Sequence, residues 1–190
     1  MTKFFGNLHL VLVVGLVLAI AVMLAFAPSA PVDANSILRW LHVFFGILWI
    51  GLLYYLNFVQ VPTMPKIPAE MKGAITGHIA PKVFFFFRWS ALLTVVTGLG
   101  IAIVAGYAHQ ALTLTGEGNV KLIGIGMWLA LIMAFNVWFI IWPAQKKILG
   151  IVEASAEEKA AAAPRALAAS RTNLLLSLPM LYCMASANLG

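Results

Sequence analysis

Polar side chains are scarce in this sequence, and those set among long apolar runs are where chemistry is to be sought. An ionisable or strongly polar group inside a bilayer is costly, so each marks a functional site by default. His42 stands in Trp40-Leu41-His42-Val43-Phe44-Phe45-Gly46-Ile47-Leu48-Trp49-Ile50-Gly51. Gly46 falls one helical turn further on the same face. A glycine there lets a flat macrocycle, or a neighbouring helix, come close. An imidazole on iron beside such a gap is what a b-type haem requires, which makes His42 a candidate iron ligand. The plainer reading is a histidine hydrogen-bonded at the membrane interface. Arg88 stands in Phe84-Phe85-Phe86-Phe87-Arg88-Trp89. It reads either as an arginine snorkelling to the surface or as a cation for a haem propionate, an anionic substrate or a quinone carbonyl.

Depth sorts the remaining candidates. The four histidines are His9, His42, His78 and His109. His42 and His78 fall roughly 25 Å apart along the membrane normal at 1.5 Å per residue, too far to share one haem. The possible bis-histidine pairs are His42 with His109 and His9 with His78. At the other end of the apolar runs lie Asn57 and Gln60, Asn136 and Trp138, and Arg171, Asn173 and Ser177, with Arg88 at the same level. Four helices thus bring polar side chains to one layer, as a binding cluster or as interhelical hydrogen bonding. His42 is distant from that layer, so the two form separate sites.

These residues need a membrane to position them. Of 190 residues 63% are hydrophobic and 9% charged, and the mean hydropathy is +0.98. Soluble domains are about 45–50% apolar and about 25% charged, so a soluble single domain is excluded, as are disorder and collagen. The net charge of +6 belongs to basic loops at an anionic membrane face. No basic, aromatic-interleaved run supports nucleic-acid binding. Cys183 is the one cysteine, which excludes an intrachain disulfide and multi-cysteine metal sites, and C-x-x-C-H is absent. All six acidic residues lie in loops, which disfavours ion coupling through buried carboxylates.

The chain reads as one all-α membrane domain of about five transmembrane helices, near 8–27, 37–61, 83–107, 120–142 and 172–190. Each approaches the roughly 20 residues that cross the hydrocarbon. Lys3 and Ala25-Phe26-Ala27 resemble a signal peptide, but the first apolar run is long for one and Pro28 would come directly after the cut, which favours a retained helix. Lys and Arg are concentrated in the second-to-third and fourth-to-fifth connections, predicting the N-terminus inside and the C-terminus outside. Pro62, Pro65, Pro68 and Pro81 predict short pieces over residues 62–81. Residues 145–170 predict one or two surface helices, interrupted near Pro164.

Several stretches resemble the membrane domain of the bacterial cytochrome-linked urate oxidase (urate hydroxylase) family. They include Arg39-Trp40-Leu41-His42 through Gly46, Trp49-Ile50-Gly51-Leu52, Asn57-Phe58-Val59 and Phe87-Arg88-Trp89. The pattern continues in Asn136-Val137-Trp138, Ile141-Trp142-Pro143-Ala144-Gln145-Lys146-Lys147-Ile148, Ser170-Arg171-Thr172-Asn173, Leu175-Leu176-Ser177 and Pro179-Met180-Leu181. The resemblance implies a bacterial inner-membrane protein tied to respiratory electron transfer. The family joins its membrane domain to a C-terminal cytochrome c domain. This sequence ends at Gly190 without a c-haem motif, so the expected acceptor is a separate cytochrome c or respiratory-complex subunit. A wider likeness to small haem-b membrane proteins, with a histidine early in a Gly- and Trp-containing helix, strengthens His42 as an axial ligand.

Three functions compete. In the first, a redox protein binds haem b through His42, beside Gly46 and with His109 as a possible second ligand. Arg88 and Arg171 pair propionates or an anionic substrate, and Asn57, Asn136, Trp138 and Asn173 orient the bound group. In the second, the chain is a non-catalytic accessory subunit of a larger membrane enzyme, packing through Gly98-Leu99-Gly100, Gly124-Ile125-Gly126 and Ala102 to Ala105. The third, a transporter, finds no repeat symmetry.

Overall fold

The computed structural model describes residues 2–187, and no strand occurs among them. The chain divides into two compact units, residues 1–37 and 38–190. In the first, α1 (Thr2–Phe5) precedes α2 (Leu8–Phe26). Asn7 caps α2 by accepting the Leu10 amide at 3.1 Å. The next helix, α3 (Ala34–Tyr54), opens on a reciprocal pair. Asp33 Oδ1 accepts the Ser36 amide at 2.7 Å, and the Ser36 hydroxyl accepts the Asp33 amide at 3.0 Å. The Ser36 amide and hydroxyl hold the Asp33 carboxyl below its ordinary pKa.

In the second unit α3 continues through a π-helical turn, Tyr55–Gln60, into α4 (Val61–Thr63) and a 3₁₀ turn, Met64–Lys66. After a break at Ile67 and Pro68, helix resumes as α5 (Ala69–Ala74), a second π turn (Ile75–Ile79) and α6 (Ala80–Val104). The short α7 (Ala108–Leu112) turns the chain back into α8 (Gly118–Phe135), a third π turn (Asn136–Ile141) and α9 (Trp142–Ile148). The last helix, α10, spans Ala156–Ser186. Trp49, Leu53, Phe87, Met133 and Ile141 are among the fully buried side chains of the core between α3, α6, α8 and the third π turn.

Prolines account for the π turns. A proline has no N–H, and its ring clashes with the carbonyl four residues back. Pro62, Pro81 and Pro143 each stand one residue beyond the first position after a π turn. The carbonyls four residues back, those of Phe58, Gly77 and Phe139, all lie inside those turns. Widening the ladder to i→i+5 makes room for the ring without ending the helix. Residues 62–81 are therefore short pieces, as their prolines predict, broken at Ile67 and Pro68, with the π turns joining the pieces on either side to α3 and α6.

Pro164 does not interrupt α10 either. Ala160, whose carbonyl loses its partner there, is exposed, so solvent can satisfy it. The alanine-rich flanks favour helix, and Ala162 and Ala166 pack on Ala144. The helix starts on a capping box, with the Glu158 amide donating to Ser155 Oγ at 3.2 Å and the Ser155 amide donating to Glu158 Oε2 at 3.0 Å. Lys147 binds Glu158 at 2.6 Å, and that contact leads the influences holding the Glu158 carboxyl below its ordinary pKa.

Four helical stretches are long and apolar enough to cross a membrane: Leu8–Phe26, Ala34–Lys66, Ala69–Val104 and Gly118–Ile148. They correspond to the first four expected spans, the first ending one residue and the third three residues before the expected end. The fifth, 172–190, corresponds to the C-terminal part of α10 and is not among the four: the helix ends at Ser186, so a stretch long enough to span takes in Arg171 and Asn173; residues 188–190 lie outside those described. Ser155→Ala should cost about 1 kcal/mol at the start of α10. The check is amide exchange, which should speed up across residues 156–159 and stay unchanged across residues 173–177.

Candidate functional site

A cavity of about 460 Å³ opens between α3, α6, α8 and α10. That is within the roughly 300–1,000 Å³ of small-molecule and cofactor sites. His42 lines it, one turn above Gly46 on α3. The His42 Nδ1 lies 2.9 Å from the Thr94 carbonyl oxygen and 3.3 Å from Thr97 Oγ1. A carbonyl only accepts, so Nδ1 carries the proton and donates. The Thr97 hydroxyl is itself committed to the Leu93 carbonyl at 2.7 Å. With Nδ1 engaged on α6, Nε2 keeps its lone pair and is the nitrogen left to meet a ligand. This is the tautomer and the anchoring of metal-binding imidazoles, whose second nitrogen donates to a carbonyl or carboxylate.

The space for the imidazole comes from Gly98 rather than Gly46. A Cβ at Gly98 would lie 2.8 Å from His42 Cε1, whereas one at Gly46 would meet only Thr94 Cγ2, at 3.9 Å. Arg39 and Tyr107 also line the cavity, as does the fully buried Trp49, whose Nε1 has no partner. The rest of the lining is apolar apart from Thr94. His109, the expected partner of His42, stands exposed on α7 and is outside the lining, as His78 is outside it in the second π turn.

The polar layer lies elsewhere in the unit, and none of its members lines the cavity. Asn57, almost fully buried, donates through Nδ2 to the Leu53 carbonyl and to Ser170 Oγ, both at 2.9 Å. Asn136 Nδ2 donates to Asn173 Oδ1 at 3.0 Å, and Asn173 Nδ2 donates to the Met133 carbonyl at 3.0 Å. The Tyr54 and Ser177 hydroxyls are 3.2 Å apart. These contacts pin α3 and the third π turn to α10. Asn57 Oδ1 and Gln60 Oε1 are buried without partners.

Arg88 and Arg171 do not join this cluster. The Arg88 guanidinium lies 4.0 Å from the Trp142 ring centroid and 5.2 Å from that of Phe85. Its Nη1 donates to the Phe84 carbonyl at 3.4 Å. Trp138 Nε1 donates to the Arg88 carbonyl at 3.0 Å, linking α6 to the third π turn. Aromatic rings thus take the cation, as cation–π contacts do, and Trp138 reads the Arg88 backbone. Arg171 is exposed, one residue past the Ser170 hydroxyl that meets Asn57. Among the described residues no cluster of three or more His, Cys, Asp or Glu could hold a metal ion.

The expected residues therefore divide. Asn57, Asn136 and Asn173 bind one another's helices. Arg88 and Trp138 form an aromatic–cation junction. His42 and Gly46 face a cavity whose other polar members, Arg39, Thr94 and Tyr107, were not singled out from the sequence as ligand-site residues. Spacing offered one signal: Thr94, Thr97 and Gly98 fall at i, i+3 and i+4, a single helix face. Asn173→Leu removes both the acceptor for Asn136 and the donor to Met133. It should lower stability by about 1–2 kcal/mol, measured by unfolding in detergent. Arg171→Ala should change it by less than about 0.5 kcal/mol.

A comparison with curated proteins and one with solved structures gave no match. A family model did match, described as Urate oxidase N-terminal and covering residues 113–190. That range holds the motifs from Asn136 to Met180, while His42 and Arg88 fall before it. Over residues 113–190, which carry α8, α9 and the described length of α10, the chain is similar to the urate oxidase N-terminal family.

Proposed function

We propose that the chain is a membrane redox protein of the bacterial inner membrane, binding haem b in the His42 cavity and passing electrons to a separate cytochrome c or respiratory-complex subunit. The observation that carries this reading is the His42 imidazole. It is partly buried, fixed by the Thr94 carbonyl in the Nδ1–H tautomer, and turned toward a cavity of cofactor size. Haem bound there supplies one-electron chemistry at iron. The chain's own residues do the rest. Thr94 and Gly98 set the plane and position of the His42 ring. Arg39 is the guanidinium in the cavity wall, and in this reading it is the cation nearest a bound propionate, since Arg88 and Arg171 are outside the lining. The apolar wall excludes water from the iron.

The Asn57, Asn136 and Asn173 amides are bundle pins in this reading, since each spends its donors on another helix or its own. The accessory-subunit alternative relies on small residues as a docking surface, and four glycines among them have occupants within the chain. Gly98 takes His42, Gly100 takes Leu38, Gly124 takes the Ala111 backbone, and Gly126 takes Cys183.

The test is a dithionite-reduced minus oxidised spectrum of detergent-purified protein. A b-type α-band is expected, and a flat spectrum from folded protein would refute the reading. His42→Ala should abolish the band. Gly98→Ala, which pushes the imidazole away from α6, should weaken haem retention by about 10- to 100-fold.

A further inference from the structure

Resting on the haem reading, we propose that Met184 is the second axial ligand, so that the iron is held by an imidazole from α3 and a thioether from α10. Four helices line the cavity. His42 comes from α3 and is backed by α6. Helices α8 and α10 contribute isoleucine, leucine, alanine and three methionines: Met127, Met180 and Met184. Among the described residues, these sulfurs are the only side-chain atoms that α8 and α10 bring to the lining able to bind iron. A methionine opposite a histidine is an established haem ligand pair.

Interhelical contacts choose among the three. Asn57 on the α3 stretch meets Ser170 on α10, which runs antiparallel to it. Counting from that contact at 1.5 Å per residue, His42 lies 15 residues, or about 22 Å, along α3, and Met184 lies 14 residues, or about 21 Å, along α10. Met180 lies only 10 residues, or about 15 Å, along. On α8 the Asn136–Asn173 bond sets the count. It places Met127 at the equivalent of 12 residues, or about 18 Å. An independent contact supports this register: a Cβ at Gly126, one residue from Met127, would lie 3.4 Å from Met184 Cε. Met184 is thus the lining sulfur nearest the level of His42. Tyr107, the other lining residue with a ligating atom, comes after the end of α6. From Gly98, the residue level with His42, to Val104 that helix has already climbed about 9 Å.

The experiment uses the purified haem-loaded chain and its ferric spectrum. The wild type should be low-spin, with a sulfur-to-ferric-iron charge-transfer band in the far red. Met184→Leu should keep haem, lose that band and turn high-spin. Met127→Leu and Met180→Leu should keep it. Met184→His should restore a low-spin iron without the band and with a lower midpoint potential, since a thioether raises the potential relative to imidazole. Haem present without the band in the wild type, or a band that survives Met184→Leu, would overturn the Met184 assignment and leave the haem reading standing. A wild type that binds no haem would overturn both. Should Met184→Leu fail to fold, the spin state and potential of Met184→His decide the matter.

Discussion

The amide bonds between α3, the third π turn and α10 hold the rest of the second unit in register. In lipid there is no hydrophobic force to drive helix onto helix, so packing, small residues and buried polar contacts must fix how helices slide past one another. Asn173 both accepts from Asn136 and donates to the Met133 carbonyl, while Ser170 accepts from Asn57. A slip of one residue in α10 would break all three bonds and bury the freed groups, each at the cost of an unmade hydrogen bond. A higher contact agrees with the same register: Gly126 of α8 sits against Cys183 and Met184 of α10.

The prolines shape where those amides sit. Asn57 and Asn136 both occur in π turns, each ahead of a proline that the wider ladder accommodates. A π turn inserts a residue and rotates the helix beyond it, so a side chain is re-aimed relative to a regular helix. Asn57 uses this position to reach both the Leu53 carbonyl of its own helix and Ser170 of another. Sequence reasoning that treats proline as a stop therefore loses twice. It breaks helices that continue, and it misses the turns where the polar contacts are made.

How much was legible depends on the kind of signal each residue carries. Apolar length alone marks the membrane-crossing stretches, because nothing but hydropathy and reach decides them. That polar groups gather at one level was also legible, since depth comes from counting residues. Which of them touch was not, because contact depends on rotation about the helix axis. Arg171 and Ser170 are adjacent in sequence, yet only Ser170 faces α3. Arg88 reads from the sequence either as a snorkelling arginine or as an anion site, and only the fold shows that Trp142, 54 positions on, lies against its guanidinium. His42 and Gly46 share a face as expected, but the glycine that admits the imidazole is Gly98, on another helix. No local pattern around His42 could have named it.

Helix α10 joins the two sites that depth keeps apart. Its Ser170, Asn173 and Ser177 bind the polar layer, and its Met180 and Met184 line the cavity. Pro179 lies between the two groups, inside the helix. It removes the N–H that would bond the Leu175 carbonyl, yet α10 continues to Ser186. The polar layer and the cavity wall are thus carried by one rigid element, whose register the amides set. A shift of one residue at the pins would move the α10 methionines about 1.5 Å along the axis and rotate them about 100° away from the cavity. Buried amides outside the cavity thereby determine which side chains of α10 line it.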